Sequence, residues 1–209
     1  MKQYKTGMWI CLTVLSLPLS AVAEDAVRAK IGTLGYGIEY LHPLSERTAI
    51  RFVLNGATTS GDISESDITY DYEMKQRSGG VLFDWHPSAG KFFVSAGLLY
   101  NRNKIDAVLA DNGSVTVGDT TYSNPDLAGD VEFKTLAPYA GVGWQWGATK
   151  RGLSMALELG MLYQGSPEVH LRSSVVSQSD LRKEESQIED SLSDYKYYPN
   201  VSFAIGYRF

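Results

Sequence analysis

Five charged residues fall where small and apolar neighbours dominate. Glu39, Arg51, Asp84, Glu158 and Arg208 all lie inside segments in which large apolar residues alternate with Gly, Ala, Ser or polar ones. On that alternation, all five share the side opposite the large apolar residues. Acids and arginines facing one another in a confined space can do two things. They can neutralise one another as a salt-bridge network, because an unpaired buried charge costs several kcal/mol. They can also line a narrow path for small polar solutes.

Other residue types with chemical potential give less. His86 lies two residues from Asp84 in a short Pro-containing turn, His170 lies near Ser166 and Glu168, and His42 precedes Pro43. A Ser-His-acid set must meet in space, and Ser and acids are abundant enough here to neighbour a His by chance. We therefore expect His42 and His86 to be turn residues, and we expect no enzyme and no catalytic residue. Two acidic stretches, one with Asp62, Glu65, Asp67 and Asp71 and one with Asp106, Asp111, Asp119 and Asp126, do not fit the D-x-[DN]-x-[DN]-G calcium loop. They read as solvated surface, with divalent ions shared with lipopolysaccharide phosphates as the sharper hypothesis. The glycines of TLGYG occupy alternate strand positions, not a strand-to-helix turn, so no nucleotide fingerprint is present. No cofactor and no metal site is expected.

The elements that must position these charges are strands. NVSFAIGYRF (200–209) sets Val201, Phe203, Ile205, Tyr207 and Phe209 against Asn200, Ser202, Ala204, Gly206 and Arg208. The same period of two recurs in TLGYGIEYL (33–41), FFVSAGLLYN (92–101), LAPYAGVGWQW (136–146) and LSMALELGMLYQ (153–164), and less cleanly in TAIRFVLNG (48–56) and RSGGVLFDW (77–85). Three connections are short: HPLSER (42–47), HPSAGK (86–91) and GATKRG (147–152). Three are long and polar, near 58–69, 104–130 and 165–195. Short turns at one end and long loops at the other are characteristic of outer-membrane β-barrels. Small residues suit a narrow barrel interior. Tyr40, Trp85, Tyr100, Trp144, Tyr163 and Tyr207 stand near segment ends, where rings form interfacial girdles.

Lys2 and Lys5, the apolar run at 8–20 and Ala21-Val22-Ala23 have the layout of a signal peptide covering residues 1–23. The apolar run is shorter than the roughly 20 residues a spanning helix needs. The barrel domain is then 24–209. It lacks the one cysteine, Cys11, which excludes disulfides and thiolate sites. Loss of Lys2 and Lys5 takes the net charge from −5 to −7, which argues against nucleic acid as a partner.

The tail, with Tyr207 and terminal Phe209, resembles the C-terminal insertion signal of Gram-negative outer-membrane proteins. The stretches GTLGYGIEYLHPLSER, SGGVLFDWHPSAGKFFVSAGLLYNRNK, LAPYAGVGW, QGSPEV and DYKYYPNVSFAIGYRF are similar to those of a little-characterised family of small proteobacterial outer-membrane barrel proteins. The resemblance implies fold and location, with outer-membrane lipid, lipopolysaccharide and the barrel-assembly machinery as partners. It implies no established activity.

The expected fold is therefore all-β: a small antiparallel transmembrane barrel of eight strands with one short amphipathic helix in a loop. Seven spanning segments are evident, and PEVHLRSSVV (167–176) is the candidate eighth. Around 177–195, Ser177 or Ser179 offers a helix cap. Leu181, Ile188, Leu192 and Tyr195 share one helical face, and Glu184, Glu185, Glu189 and Asp190 the other. Such a helix would rest on the barrel rim, plug the lumen or bind a partner. Two functions suit the whole, with a monomer favoured. One is a narrow, porin-like channel or uptake protein for small polar solutes. The other is a non-transporting barrel serving envelope integrity or surface interaction.

Overall fold

A computed structural model describes residues 24–65, 68–110, 113–148 and 150–209. Residues 1–23, where a signal peptide is expected, lie outside the described residues. In chain order the strands are β1 (Ala26–Gly32), β2 (Gly35–Pro43), β3 (Thr48–Glu65), β4 (Ile68–Trp85), β5 (Phe92–Asn101), β6 (Lys104–Leu109), β7 (Ser114–Val117), β8 (Thr120–Ser123), β9 (Ala128–Glu132), β10 (Leu136–Gly147), β11 (Gly152–Tyr163) and β12 (Glu168–Arg172). Helix α1 (Gln178–Ser191) and a 3-10 turn follow, and β13 (Tyr197–Arg208) ends the fold.

Eight strands close into an antiparallel barrel in the order β1, β2, β3, β4, β5, β10, β11, β13, with β13 returning to β1. The eighth wall strand is β1, not the 167–176 segment. Its AVRAKIG sequence sends Arg28 and Lys30 inward and Val27 and Ile31 outward. The 168–172 strand instead pairs with β9, outside the barrel wall. This placement also settles the ends. The connections at 44–47, 86–91 and 148–151 gather with Ala26 and Arg208 at one end, and every long connection lies at the other.

The long connections are not loops. Strands β3 and β4 continue past the barrel as a hairpin paired as far as Glu65 and Ile68. Strands β6, β9 and β12 add to β4 in turn, making a second sheet, the head. One face of that sheet is charged. The other carries Leu109 and Leu171 and is covered by α1 and the β7–β8 hairpin through Val115, Val117, Val176 and Leu181.

Outward residues of the barrel form a continuous apolar belt, including Ile38, Phe52, Phe83, Leu98, Leu157 and Phe203. Aromatic rings border it at both ends. Tyr40, Trp85, Phe92, Trp144 and Tyr207 lie near the turn end, where Phe92 and Trp144 meet edge to face at 5.4 Å. Tyr36, Tyr100, Tyr163 and Tyr197 lie near the head, with Tyr163 and Tyr197 at 5.3 Å.

The seam between β1 and β13 has no room for a side chain at Gly206. A Cβ there would stand 1.9 Å from the Val27 carbonyl oxygen and 2.5 Å from Arg28 Cα. Gly206→Val is expected to prevent closure, so that refolded protein loses its heat-modifiable gel migration. Ile205→Val, on the outward face, is expected to keep it. Normal migration of the Gly206 variant would show that the seam is looser than this geometry.

Candidate functional site

The interior is layered. Nearest the turn end, Ala26, Leu41, Ala49, Phe93, Ala156 and Ala204 fill the barrel. Charge comes next. Towards the head follow Leu34, Val53, Leu82, Leu99, Ala137, Tyr139 and Leu162, and then buried amides, among them Gln76, Asn101 and Gln164. The head end is tied across. The Tyr198 hydroxyl donates to the Thr33 carbonyl at 2.8 Å, and Gln76 Nε2 donates to the same oxygen at 3.0 Å and to Tyr198 Oη at 2.7 Å.

Arg51, on β3, is the centre of the charged layer and is 1% exposed. Its guanidinium donates to Glu158 Oε2 and Oε1 at 2.8 Å each, to Asp84 Oδ1 at 3.0 Å and to Glu39 Oε2 at 3.1 Å. Nε lies 2.9 Å from Asp84 Oδ2 as a charge contact rather than an aligned hydrogen bond. The Ser95 hydroxyl accepts from Arg51 at 2.9 Å and donates to Asp84 at 2.5 Å. The Phe93 ring faces the guanidinium at 5.4 Å, a cation–π contact that strengthens where water is excluded.

Four of the five sequence-derived positions, Glu39, Arg51, Asp84 and Glu158, thus meet in one cluster. Arg208 does not join it. It shares the inward face but stands at the turn end, where Glu24 is the carboxylate acting on it. Two members were missed because they lie on β1. Arg28 Nε lies 2.7 Å from Glu39 Oε1, and Lys30 Nζ lies 3.6 Å from Glu158 Oε2. With them the layer balances, three cations against three carboxylates. The inward position of AVRAKIG was the available signal. Gly160 makes room beside Glu158 for the Tyr139 ring, whose hydroxyl would be 2.1 Å from a Cβ at that position.

The histidines lie apart. His42 Nδ1 is 2.7 Å from Asp25 Oδ1 at the turn end, and Tyr40 also donates to Asp25. His86 is buried, with Nδ1 3.2 Å from the Phe92 carbonyl and its ring beside Phe93. His170 neighbours Asp130 in the head, at 3.7 Å, rather than Ser166 or Glu168. Among the described residues no His, Asp and Glu group has metal-holding geometry.

The charged face of the head is an ion ladder across β4, β6, β9 and β12. Lys75 contacts Glu73 at 3.2 Å and Asp106 at 2.9 Å; Lys104 contacts Glu132 at 2.9 Å and Asp130 at 3.2 Å; Arg172 contacts Asp130 at 2.6 Å. The hydrogen bond from Lys75 holds the Asp106 carboxyl below its ordinary value. The hydrogen bond to Glu132 raises the Lys104 ammonium, and that to Asp106 raises Lys75.

Helix α1 neither plugs the lumen nor rests on the rim; it covers the head sheet. Ser177 caps it, accepting from the Asp180 N–H at 3.2 Å. Three of the four carboxylates on its polar face accept backbone N–H groups. Glu185 accepts from Leu171 N at 2.7 Å, Glu189 from Val169 N at 2.9 Å and Glu184 from Gly118 N at 2.9 Å. Val169 and Leu171 are on β12, the edge strand, so the helix satisfies backbone donors that would otherwise stand open.

No family model matches the sequence, and no curated protein matches it. Two solved structures from Acinetobacter baumannii share the fold. CarO2 is 23% identical with a TM-score of 0.63, covering 89% of this chain and 98% of that one. CarO is 22% identical with a TM-score of 0.60, covering 88% and 97%. At these identities the likeness is one of fold. It supports the barrel class read from the sequence and not a particular family.

Arg51→Met removes the shared partner of three buried carboxylates. It is expected to destabilise the folded barrel by about 3–5 kcal/mol, read as a lower urea midpoint in lipid vesicles. A change below about 1 kcal/mol would mean that water already reaches the layer. In the head, Asp106 is depressed, so its contribution to stability is present above its ordinary value of 3.8 and is lost as pH falls through the folded value. Amides of β6 and β9 should therefore keep their hydrogen-exchange protection from neutrality down to that value and lose it below. Asp106→Asn should remove most of this acid-side loss.

Proposed function

We propose that the protein is an integral outer-membrane barrel with a non-conducting lumen, which anchors the head and presents it at the cell surface. The observation that carries this reading is the filled cross-section at Arg51. Six charges and Ser95 occupy the barrel between two apolar layers. An eight-stranded barrel is only wide enough for side chains to fill, and here the side chains hold one another in place. A solute would have to separate a buried, neutralised cluster and then pass Leu82, Leu99, Tyr139 and Leu162.

Location is supported by the apolar belt with its aromatic borders and by the fold shared with CarO, an outer-membrane protein. In such barrels the short turns face the periplasm and the long connections face outside, and this supports a head exposed at the surface. Export would use the signal peptide at 1–23. Insertion would use the assembly machinery reading Tyr207, exposed on the outer face of β13, and Phe209, exposed just after it. Lipid and the acyl chains of lipopolysaccharide would cover the belt of a monomer.

The decisive measurement is single-channel recording of the refolded protein in a planar bilayer, with heat-modifiable migration as proof of folding. The folded protein is expected to give no conductance steps, and Glu158→Ala and Arg51→Ala to lower stability without opening a selective path. Reproducible steps whose ion selectivity shifts in these variants would overturn the reading in favour of a solute channel.

A further inference from the structure

The head contains a cavity of about 250 Å³ between α1 and the sheet. It is a concave site partly open to solvent, the kind of place where small molecules bind. Its walls are mainly apolar: Ile105 and Ala107 of β6, Val131 of β9, Leu171 of β12 and Ile188 of α1. The helix seals the sheet at one side, where Val169 and Leu181 are buried. Over β6 and β9 it stands off, and Ile105, Ala107 and Val131 keep partial exposure. At roughly 30 Å³ per water, the volume suits one compact organic molecule and is too small to enclose a long lipid acyl chain or a peptide.

Tyr70, Thr116, Asp130 and Glu184 are the polar residues at this cavity, and the two carboxylates set the charge of its occupant. Glu184 lines it and uses only Oε2, on the Gly118 N–H; Oε1 has no partner among the described residues. Among the described residues no hydrogen bond or ion pair joins a lysine or arginine to Glu184. Lys183 pairs with Asp119, and Arg182 donates to the Gln178 carbonyl of its own helix. Asp130, also at the wall, is already engaged by Lys104 and Arg172. Glu185 and Glu189 lie on the same helix.

We infer that this cavity binds a small organic cation, a protonated amine on a compact aromatic or branched apolar body, with the ammonium on Glu184 and the body against Ile105, Ala107 and Val131. The inference stands on the head alone and holds whether or not the barrel conducts.

Ligand-observed fluorine NMR on the refolded full barrel in lipid nanodiscs tests it. The probes are 2-(4-fluorophenyl)ethylamine and an anion of similar size, 3-(4-fluorophenyl)propanoate, with empty nanodiscs as the blank. The amine is expected to bind saturably and the anion not to bind. Glu184→Gln keeps an acceptor for Gly118 but loses the charge, and should weaken amine binding about tenfold. Ala107→Phe fills the cavity and should abolish it. If Ala107→Phe does not fold, the Glu184 variant and the anion decide. Absence of saturable amine binding, equal binding by the folded variants, or anion binding as strong as that of the amine would each overturn the inference.

Discussion

A backbone N–H or C=O facing hydrocarbon has no water to pair with, so a spanning sheet must have no open edge. That constraint explains why β1 belongs to the wall despite its brevity and its two cations. It pairs on both sides, from Ala26 to Gly32, with β2 and with β13. The cost falls on the interior. Seven residues that alternate strictly must send Arg28 and Lys30 into the lumen once Val27 and Ile31 face lipid. The carboxylates of Glu39 and Glu158 are where those cations need them.

The interior then becomes one coupled object. Arg51 on β3 joins Glu39 of β2, Asp84 of β4, Ser95 of β5 and Glu158 of β11, and Arg28 and Lys30 bring in β1. A buried ion pair is weak evidence for stability, because desolvation can exceed the Coulombic gain. Here its more direct effect is on register. A slip of one residue in any of these strands would turn its charge to the lipid and leave the partners unpaired. Packing then excludes solvent from the layer, with Phe93 on one side and Tyr139 on the other.

What the sequence disclosed follows from this physics. Long strands with one lipid face have an unmistakable period of two, and seven of the wall strands were visible for that reason. Four lumen charges were visible because Glu39, Arg51, Asp84 and Glu158 interrupt rows of small residues. β1 was hidden by its length and its charges. The head was hidden because its apolar rows are short. Ile105 and Ala107 on β6, or Val169 and Leu171 on β12, make only half a strand's worth of pattern among acids and lysines. Helix α1 was legible as an amphipathic helix. Its carboxylates were not legible as backbone partners, because amphipathicity tells which face is polar and not whether that face meets water or an open strand edge.

Barrel and head solve the edge problem in different ways, and the difference bears on which part carries function. The barrel removes its edges by closure, which fixes its geometry and fills its interior. The head cannot close. It caps β12 with side chains, Glu185 and Glu189, that hold the helix by a few hydrogen bonds on one side while its apolar face stands off β6 and β9. Structure that opens at low cost is where ligand sites are usually found. A rigid, filled barrel beneath a sheet with an adjustable cover is the division of labour that the proposed surface role requires.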